Sequence, residues 1–264
     1  MKRAERTVVR DRSLDVEAYC LRGAVGAFPT HFHSYYVLGL VERGRRRMTC
    51  RGKSWTIGPG DVLLFRPGDP HACVQGETET LEYRGLNVPP EVLEERMGAP
   101  LFFRASVVRD PALGAALQAL HTGVMEGGPR ELASLGRALR RHACAKGKED
   151  ACREEVAAAC AYMEAHYSQR LTVQAIGREA GMSPSTLLRS FVRCKGVTPH
   201  VYLENVRLAA ARRLLEQGVP PAQAALETGF SDQSHFTHRF TRVLGLTPGA
   251  YRDGVWKGGL HGKN

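Results

Sequence analysis

The chain has 264 residues, of which 43% are hydrophobic and 24% are charged, and its formal net charge at pH 7 is +10. This composition excludes a disordered or collagen-like protein and suggests about two domains. The sequence contains no apolar run of the roughly eighteen residues that a membrane span needs. Its charged N-terminus is not followed by a hydrophobic segment, so we expect a cytoplasmic protein with no membrane partner. The positive charge favours a polyanionic partner, and seven cysteines without a C-x-x-C pair favour reduced, packed thiols.

Short apolar runs separated by glycine and proline fill residues 8–86. They include YYVLGLVERG, which begins at Tyr35, and WTIGPGDVLLFRPGDPHA, which begins at Trp55. Several short strands with regular turn signals predict a small all-β sandwich or barrel. We assign residues 1–107 to this domain.

Three histidines of this region are candidates for a ligand-binding pocket. His31 and His33 are two residues apart in an extended segment, so their side chains share a face. His71 follows the turn RPGDP and can approach them from another strand. The three imidazoles can line a pocket for an organic effector, bind a divalent metal ion, or be structural. Cys50 and Cys73 flank the same sheet and could donate a thiolate, although packing is the favoured interpretation for both.

Leucines at helical spacing follow on either side of the sequence GGPR. They are Leu113, Leu117, Leu120, Leu132, Leu135 and Leu139. Their spacing predicts two amphipathic helices in residues 108–147, with Asp110 as the N-cap of the first helix. They offer more apolar surface than a small sandwich needs, so we expect this connector to carry a homodimer contact. The polar segment at 146–150 predicts a domain boundary.

One block of sequence occurs twice in the last third of the chain. Phe191, Gly196, Thr198, Pro199 and Tyr202 recur as a second set, namely Phe240, Gly245, Thr247, Pro248 and Tyr251. Each copy predicts a helix-turn-helix unit, with a short helix that ends at a glycine and a second helix that begins at a serine. Two such units in one chain point to double-stranded DNA as the partner.

The first unit has Thr172 as a predicted N-cap, a helix that closes at Gly181, and a second helix opened by Ser183. Leu187 and Phe191 fall on the buried face of that second helix. The residues expected to face the major groove are Ser185, Thr186, Leu188, Arg189 and Arg193.

In the second unit, Ser231 or Asp232 is the predicted N-cap, and Phe236 and Phe240 face inward. The residues expected to face DNA are Gln233, Ser234, His235, His238, Arg239 and Arg242. Between the units, a linker helix from Thr198 to Gln217 is predicted to span roughly 30 Å, close to one turn of B-DNA. The two units can therefore enter successive major grooves on one face.

The linker VRLAAARRLLEQG and the sequence GFSDQSHFTHRFTRVLGLTPGAYR resemble the AraC/XylS family of bacterial transcription regulators, over about residues 155–253. The resemblance implies an all-α module of two helix-turn-helix units joined by a linker helix, which we place at 148–254, before a flexible tail at 255–264. It also implies promoter DNA as a partner, and RNA polymerase if the protein is an activator. Departures occur at His238 and Thr241, where the family commonly has basic residues, and at Leu188, which is often polar.

The stretch from His31 to Gly44 and the turn before His71 resemble the cupin-like ligand-binding domain of many AraC-type regulators. A cupin-like barrel that binds a small effector is therefore implied. Metal-binding cupins add a carboxylate four or five residues after the second histidine, where this chain has Val37 and Leu38. Two alternatives to a one-component regulator follow from the resemblance: a metal-dependent cupin enzyme fused to a DNA-binding module, and an alkyl-transfer DNA repair regulator. The missing carboxylate argues against the first, and the lack of a four-cysteine spacing argues against the second, so we expect no enzyme activity.

Overall fold

A computed structural model of the chain describes residues 5–24, 26–74, 80–145 and 154–258. Its β-rich half contains β1 (Glu5–Asp11), β2 (Val16–Ala24), β3 (Phe28–His31), β4 (Tyr36–Arg43), β5 (Arg46–Cys50), β6 (Lys53–Ile57), β7 (Val62–Phe65), β8 (His71–Cys73), β9 (Leu81–Val88), β10 (Phe102–Phe103), β11 (Val107–Val108) and β12 (Ala143–Cys144). The helices of this half are α1 (Pro90–Met97), α2 (Pro111–Glu126) and α3 (Leu132–Arg140).

Two antiparallel sheets form the scaffold of this half. One has the strand order β1-β2-β9-β4-β7-β11 and the other has the order β3-β8-β5-β6, while β10 pairs with β12. Side chains such as Val37 in β4 and Met48 in β5 share one hydrophobic core, so the two sheets pack face to face. The predicted all-β domain is confirmed as a β-rich domain of two sheets, with α1 as an additional helix.

The larger sheet is buried on both faces. Val37 and Val41 point to the core between the sheets, whereas Leu38, between them, belongs to a second core built with α1, α2 and α3. Burial on both sides explains why β4 and β7 read as nearly continuous apolar runs.

The helices of the connector cover that second face. Asp110 caps α2 as predicted, accepting hydrogen bonds from the backbone N–H groups of Ala112 (2.9 Å) and Leu113 (3.1 Å). The six leucines proposed for a dimer contact are all buried in this chain's own core, with exposures of 3% or less. The expectation that they carry the dimer contact is therefore wrong, because the sheet already uses their apolar surface.

The second half is all α-helix. It contains α4 (Glu154–Ala165), α5 (Val173–Glu179), α6 (Pro184–Lys195), α7 (Pro199–Glu216), α8 (Pro221–Glu227), α9 (Gln233–Leu244) and α10 (Pro248–Gly258). The predicted boundary at 146–150 lies outside the described residues. The tail predicted from residue 255 begins too early, because α10 continues through Gly258 and Val255 is buried.

Two further findings concern expectations from composition. Cys194 is disulfide-bonded, so the expectation of reduced thiols is wrong at that position, whereas Cys20, Cys50, Cys73, Cys144 and Cys160 are free.

Across the part of the chain that the structure describes, no helix is both long enough and apolar enough to cross a bilayer.

Candidate DNA-binding surface and histidine cavity

Helix caps and a tight turn define the first helix-turn-helix unit. Thr172 accepts a hydrogen bond from the N–H of Ala175 (3.1 Å), and Ser183 accepts one from the N–H of Thr186 (3.3 Å), so both predicted N-caps are present. The turn between α5 and α6 is tight: a Cβ on Gly177 would lie 2.7 Å from the carbonyl oxygen of Met182. A side chain at that position would push the two helices apart.

The outer face of α6 carries most of the residues predicted to face DNA. Ser185, Leu188, Arg189 and Arg193 are exposed, whereas Thr186 is half-buried beside the Ser183 hydroxyl. The same face includes Val192, which is 45% exposed. Sequence reasoning missed Val192 because an apolar residue in an amphipathic helix is assigned to the core. Its position four residues after Leu188 was the available signal.

Helix α9 presents a similar face in the second unit. Asp232, the second of the two predicted N-caps, accepts a hydrogen bond from the N–H of His235 (2.7 Å). The exposed residues are Gln233, Ser234, His235, His238 and Arg242.

Arg239 does not belong to that face, contrary to the prediction. Its side chain is 15% exposed, and its guanidinium lies 2.8 Å from the buried carboxylate of Glu204 on the linker helix α7. His235 Nε2 lies 3.5 Å from the same carboxylate. Glu204 thus fixes α9 against α7, and Arg239 is a positioning residue.

The linker helix α7 has 18 residues and is therefore about 27 Å long, slightly shorter than the predicted helix. Thr198 caps it, and Gly218, with φ +88°, follows its end. It places one helix-turn-helix unit at each end.

The β-rich domain brings the three candidate histidines together. His31 at the end of β3 is paired in register with His71 of β8, and His33 lies two residues beyond His31. The ring centroids are 4.3 Å (His31 to His71), 4.9 Å (His31 to His33) and 5.2 Å (His33 to His71) apart. They line a cavity of about 60 Å³ between the sheets.

Burial keeps these imidazoles neutral. Desolvation lowers the pKa of His71 to about 4, against a weaker opposing effect of the Asp69 carbonyl. The pKa values of His31 and His33 also lie well below the usual value. The main cause is burial, and the second is the proximity of another of the three histidines. Near pH 7 all three therefore have a lone pair available for a ligand.

The DNA-binding module forms part of the wall of this cavity. Val243, in the last turn of α9, lines it together with the histidines. Arg6 of β1 also lines it, and its guanidinium donates a hydrogen bond to the carbonyl oxygen of Leu244. Phe32, between the two neighbouring histidines, packs into the core of the first helix-turn-helix unit, with its ring 4.9 Å from that of Tyr202.

A buried polar network joins the halves at a second point. Glu17 of β2 is 2% exposed and accepts hydrogen bonds from Arg212 of α7 (2.8 Å) and from the hydroxyl of Tyr251 in α10 (2.6 Å). Arg10 of β1 pairs with Glu216 of α7 at 2.8 Å. No sequence signal identified this network, because its partners lie far apart in the chain.

Two family models match the chain. An AraC-like ligand binding domain matches residues 13–141, and a helix-turn-helix domain matches residues 176–254. The first range lies within the β-rich half and its connector, and the second lies within the all-α module.

Several known regulators are similar over most of their length. The uncharacterized HTH-type transcriptional regulator YbfI of Bacillus subtilis is 40% identical over 249 residues, which cover 89% of this chain and 90% of that protein. The arabinose operon regulatory protein of Escherichia coli is 27% identical over 236 residues (83% and 80%). The HTH-type transcriptional activator RhaS of Klebsiella pneumoniae is 26% identical over 252 residues (86% and 88%).

Among solved structures, the unsaturated fatty acid-bound form of ToxT from Vibrio cholerae superposes with a TM-score of 0.59. The alignment covers 97% of this chain and 98% of that chain at 12% identity. At this identity the likeness concerns the fold alone, a β-rich half followed by an all-α half.

Proposed function

Because this chain belongs to the AraC family of transcription regulators, with an N-terminal ligand-binding domain and a C-terminal helix-turn-helix DNA-binding domain, we propose that a small effector in the histidine cavity controls how α9 engages promoter DNA. The observation that carries the proposal is the position of Val243. This residue belongs to α9, the helix whose exposed face we assign to DNA, and it also lines the cavity of the ligand-binding domain. A ligand at His31, His33 and His71 therefore acts on α9 directly.

The size of the cavity supports this coupling. A cavity of about 60 Å³ has room for a few water molecules or a small ligand. Any larger effector must displace part of the lining, and Val243 belongs to an element that can move with the DNA-binding module. Phe32 gives a second route, because a shift of the histidine segment also shifts its contact with Tyr202. The effector's influence is limited by its differential affinity for the two arrangements.

A ligand screen tests the proposal. Small molecules that raise the Tm of the full chain are re-tested on His31→Ala, His33→Ala and His71→Ala, and for their effect on affinity for a DNA site selected from a random pool. A true effector loses its effect in the histidine variants while basal DNA affinity stays nearly intact. By linkage, DNA must change effector affinity by the same factor. Ligands that stabilise the protein but leave DNA affinity unchanged would contradict the proposal.

We assign DNA contacts to the exposed faces of α6 and α9, and we expect Arg189→Ala to cost about 1–3 kcal/mol of binding free energy and to relax the preference at one base pair. If Arg189 contacts phosphate instead, all sequences weaken alike and the salt dependence becomes shallower. Anisotropy titrations at several salt concentrations, on the selected site and its single-base variants, separate the two. Arg137→Ala, an exposed arginine on α3, is the control for lost charge. Unaltered affinity at every salt concentration would remove Arg189 from the contact surface.

We expect Val243→Ala to weaken the coupling between effector and DNA. Truncating this side chain removes the contact between α9 and the cavity, so the ratio of DNA affinities with and without effector should move towards one. Val197→Ala is the matched control, because Val197 is equally buried (5% exposed) in the core of the first helix-turn-helix unit. A ratio that falls as much in the control as in Val243→Ala would show general loosening instead of coupling.

The finer features of this function are also proposals. The chain acts as a regulator in the cytoplasm, where its target DNA lies, and not as an enzyme. Chemical conversion of a ligand bound in the cavity would support the enzyme alternative instead. A homodimer contact on α2 must use outward residues such as Ala115, Gln118 and Ala119, because the leucines are buried. As an activator the protein would also contact RNA polymerase. Light scattering of the full chain tests the dimer.

A further inference from the structure

The three histidines have the arrangement of a metal-binding set. One ligand atom from each of His31, His33 and His71 lies within 4.8 Å of the others. Zinc–nitrogen bonds of about 2.0–2.1 Å place tetrahedral ligand atoms about 3.4 Å apart, so inward shifts of roughly 1 Å would complete the geometry. The pairing of β3 with β8 holds two of the ligands on adjacent strands, which limits the backbone movement required.

Hydrogen bonds to backbone carbonyls orient two of the rings. His31 Nδ1 lies 2.7 Å from the carbonyl oxygen of Pro29, and His71 Nδ1 lies 2.9 Å from that of Asp69. A carbonyl only accepts, so both Nδ1 atoms carry the proton and both Nε2 atoms keep their lone pairs. Metal-ligating histidines almost always have such a partner for the other ring nitrogen. Within the described chain, neither Nε2 has a hydrogen bond that would occupy this lone pair.

The surroundings leave coordination positions open. Val37 lines the cavity where a metal-binding carboxylate would be needed. An ion with three imidazole ligands and one or two small ligands fits about 60 Å³.

We propose that His31, His33 and His71 bind one divalent first-row transition-metal ion such as zinc, leaving one position open to water or to a small ligand. Imidazole nitrogens suit zinc, iron, nickel and copper, whereas magnesium and calcium prefer oxygen ligands. The ion would lie in the cavity that Val243 of the second helix-turn-helix unit also lines. Two of its ligands, His31 and His33, flank Phe32, which packs into the core of the first unit.

Cobalt titration of the full chain tests the metal site. The protein is stripped with a chelator and titrated with Co²⁺, whose visible absorption reports nitrogen coordination in a distorted tetrahedral site. We expect one Co²⁺ per chain, displacement by Zn²⁺, and no displacement by Mg²⁺. A hundredfold excess of Zn²⁺ over its Kd should raise Tm by about 5 °C or more.

His71→Gln should lower metal affinity by about 100-fold or more and abolish the Tm shift. His200→Gln is the control, because that side chain is 74% exposed and does not line the cavity. If His71→Gln fails to fold, His33→Gln, at the half-buried member of the set, gives an independent readout. Absence of stoichiometric Co²⁺ binding, or binding that His71→Gln leaves unchanged, would overturn the metal site. DNA affinity and its response to effectors are measured separately, so either result leaves the proposed function to be judged by its own test.

Discussion

Leu117→Asp is expected to lower the free energy of unfolding by at least about 4 kcal/mol. This value is in the upper part of the range for truncating a buried leucine, because the substitution also buries a carboxylate. Leu117 is fully buried between α2 and the larger sheet. Since whole domains are stable by only about 5–15 kcal/mol, this loss would remove a large fraction of the stability of the ligand-binding domain. Urea denaturation followed by circular dichroism measures the loss, and light scattering measures the mass.

Ala119→Asp is the matched control on the same helix. Ala119 is exposed, so the new carboxylate stays in water and should change stability by less than about 0.5 kcal/mol. If Leu117→Asp instead gives a folded monomer with an unchanged urea midpoint, the leucines form a contact between chains and their place in the core is wrong.

The misassigned leucines show where sequence pattern stops being informative. Helical spacing identified α2 and α3 and their apolar faces, because periodicity depends only on the helix itself. What covers those faces depends on the sheet. The runs of β4 and β7 contain apolar residues on both faces, which signalled a second packed layer, and that layer is α1, α2 and α3.

The helix-turn-helix units were predictable in detail because their determinants are local. Thr172, Ser183 and Asp232 cap helices through hydrogen bonds that reach three residues along the chain. Arg239 was not predictable, because its partner Glu204 lies on another helix. The DNA contacts themselves remain predictions at every position.

The histidine cavity was only partly predictable. Alternation placed His31 and His33 on one face, and the turn before His71 suggested a neighbouring strand. The contribution of Val243 required the docking of α9 against β3, a contact between residues more than 200 positions apart that no local pattern specifies. The two copies of the repeat also use the same tyrosine differently. The hydroxyl of Tyr202 donates a hydrogen bond to Glu164 within the all-α module, whereas that of its counterpart Tyr251 donates one to Glu17 in the other domain.

Glu17→Gln is expected to cost about 3 kcal/mol of stability, the lower end of the range for breaking a buried ion pair, because Arg212 keeps Glu216 as a second partner at 3.1 Å. Although burial alone raises the pKa of Glu17, Arg212 and then the Tyr251 hydroxyl hold it below the usual value. A carboxyl group with a lower pKa in the folded state stabilises the fold at pH values above its unfolded pKa, about 4.3. That stability is lost as pH falls through the folded pKa. The difference between wild type and variant should therefore be full at pH 7 and shrink below about pH 4.

The same substitution should loosen the DNA-binding module from the ligand-binding domain, because Arg212 lies on α7 and Tyr251 on α10. We expect faster amide hydrogen exchange in α7, α10 and β1, and a smaller effect of any effector on DNA affinity. Glu42→Gln is the control: Glu42 pairs with Arg84 at the surface of the β-rich domain, with side chains 31% and 20% exposed, and should cost no more than about 1 kcal/mol. If Glu17→Gln leaves exchange in α7 and α10 at the wild-type rate, docking does not depend on this network, and the coupling between the domains must run through other contacts, such as those of Val243 and Phe32.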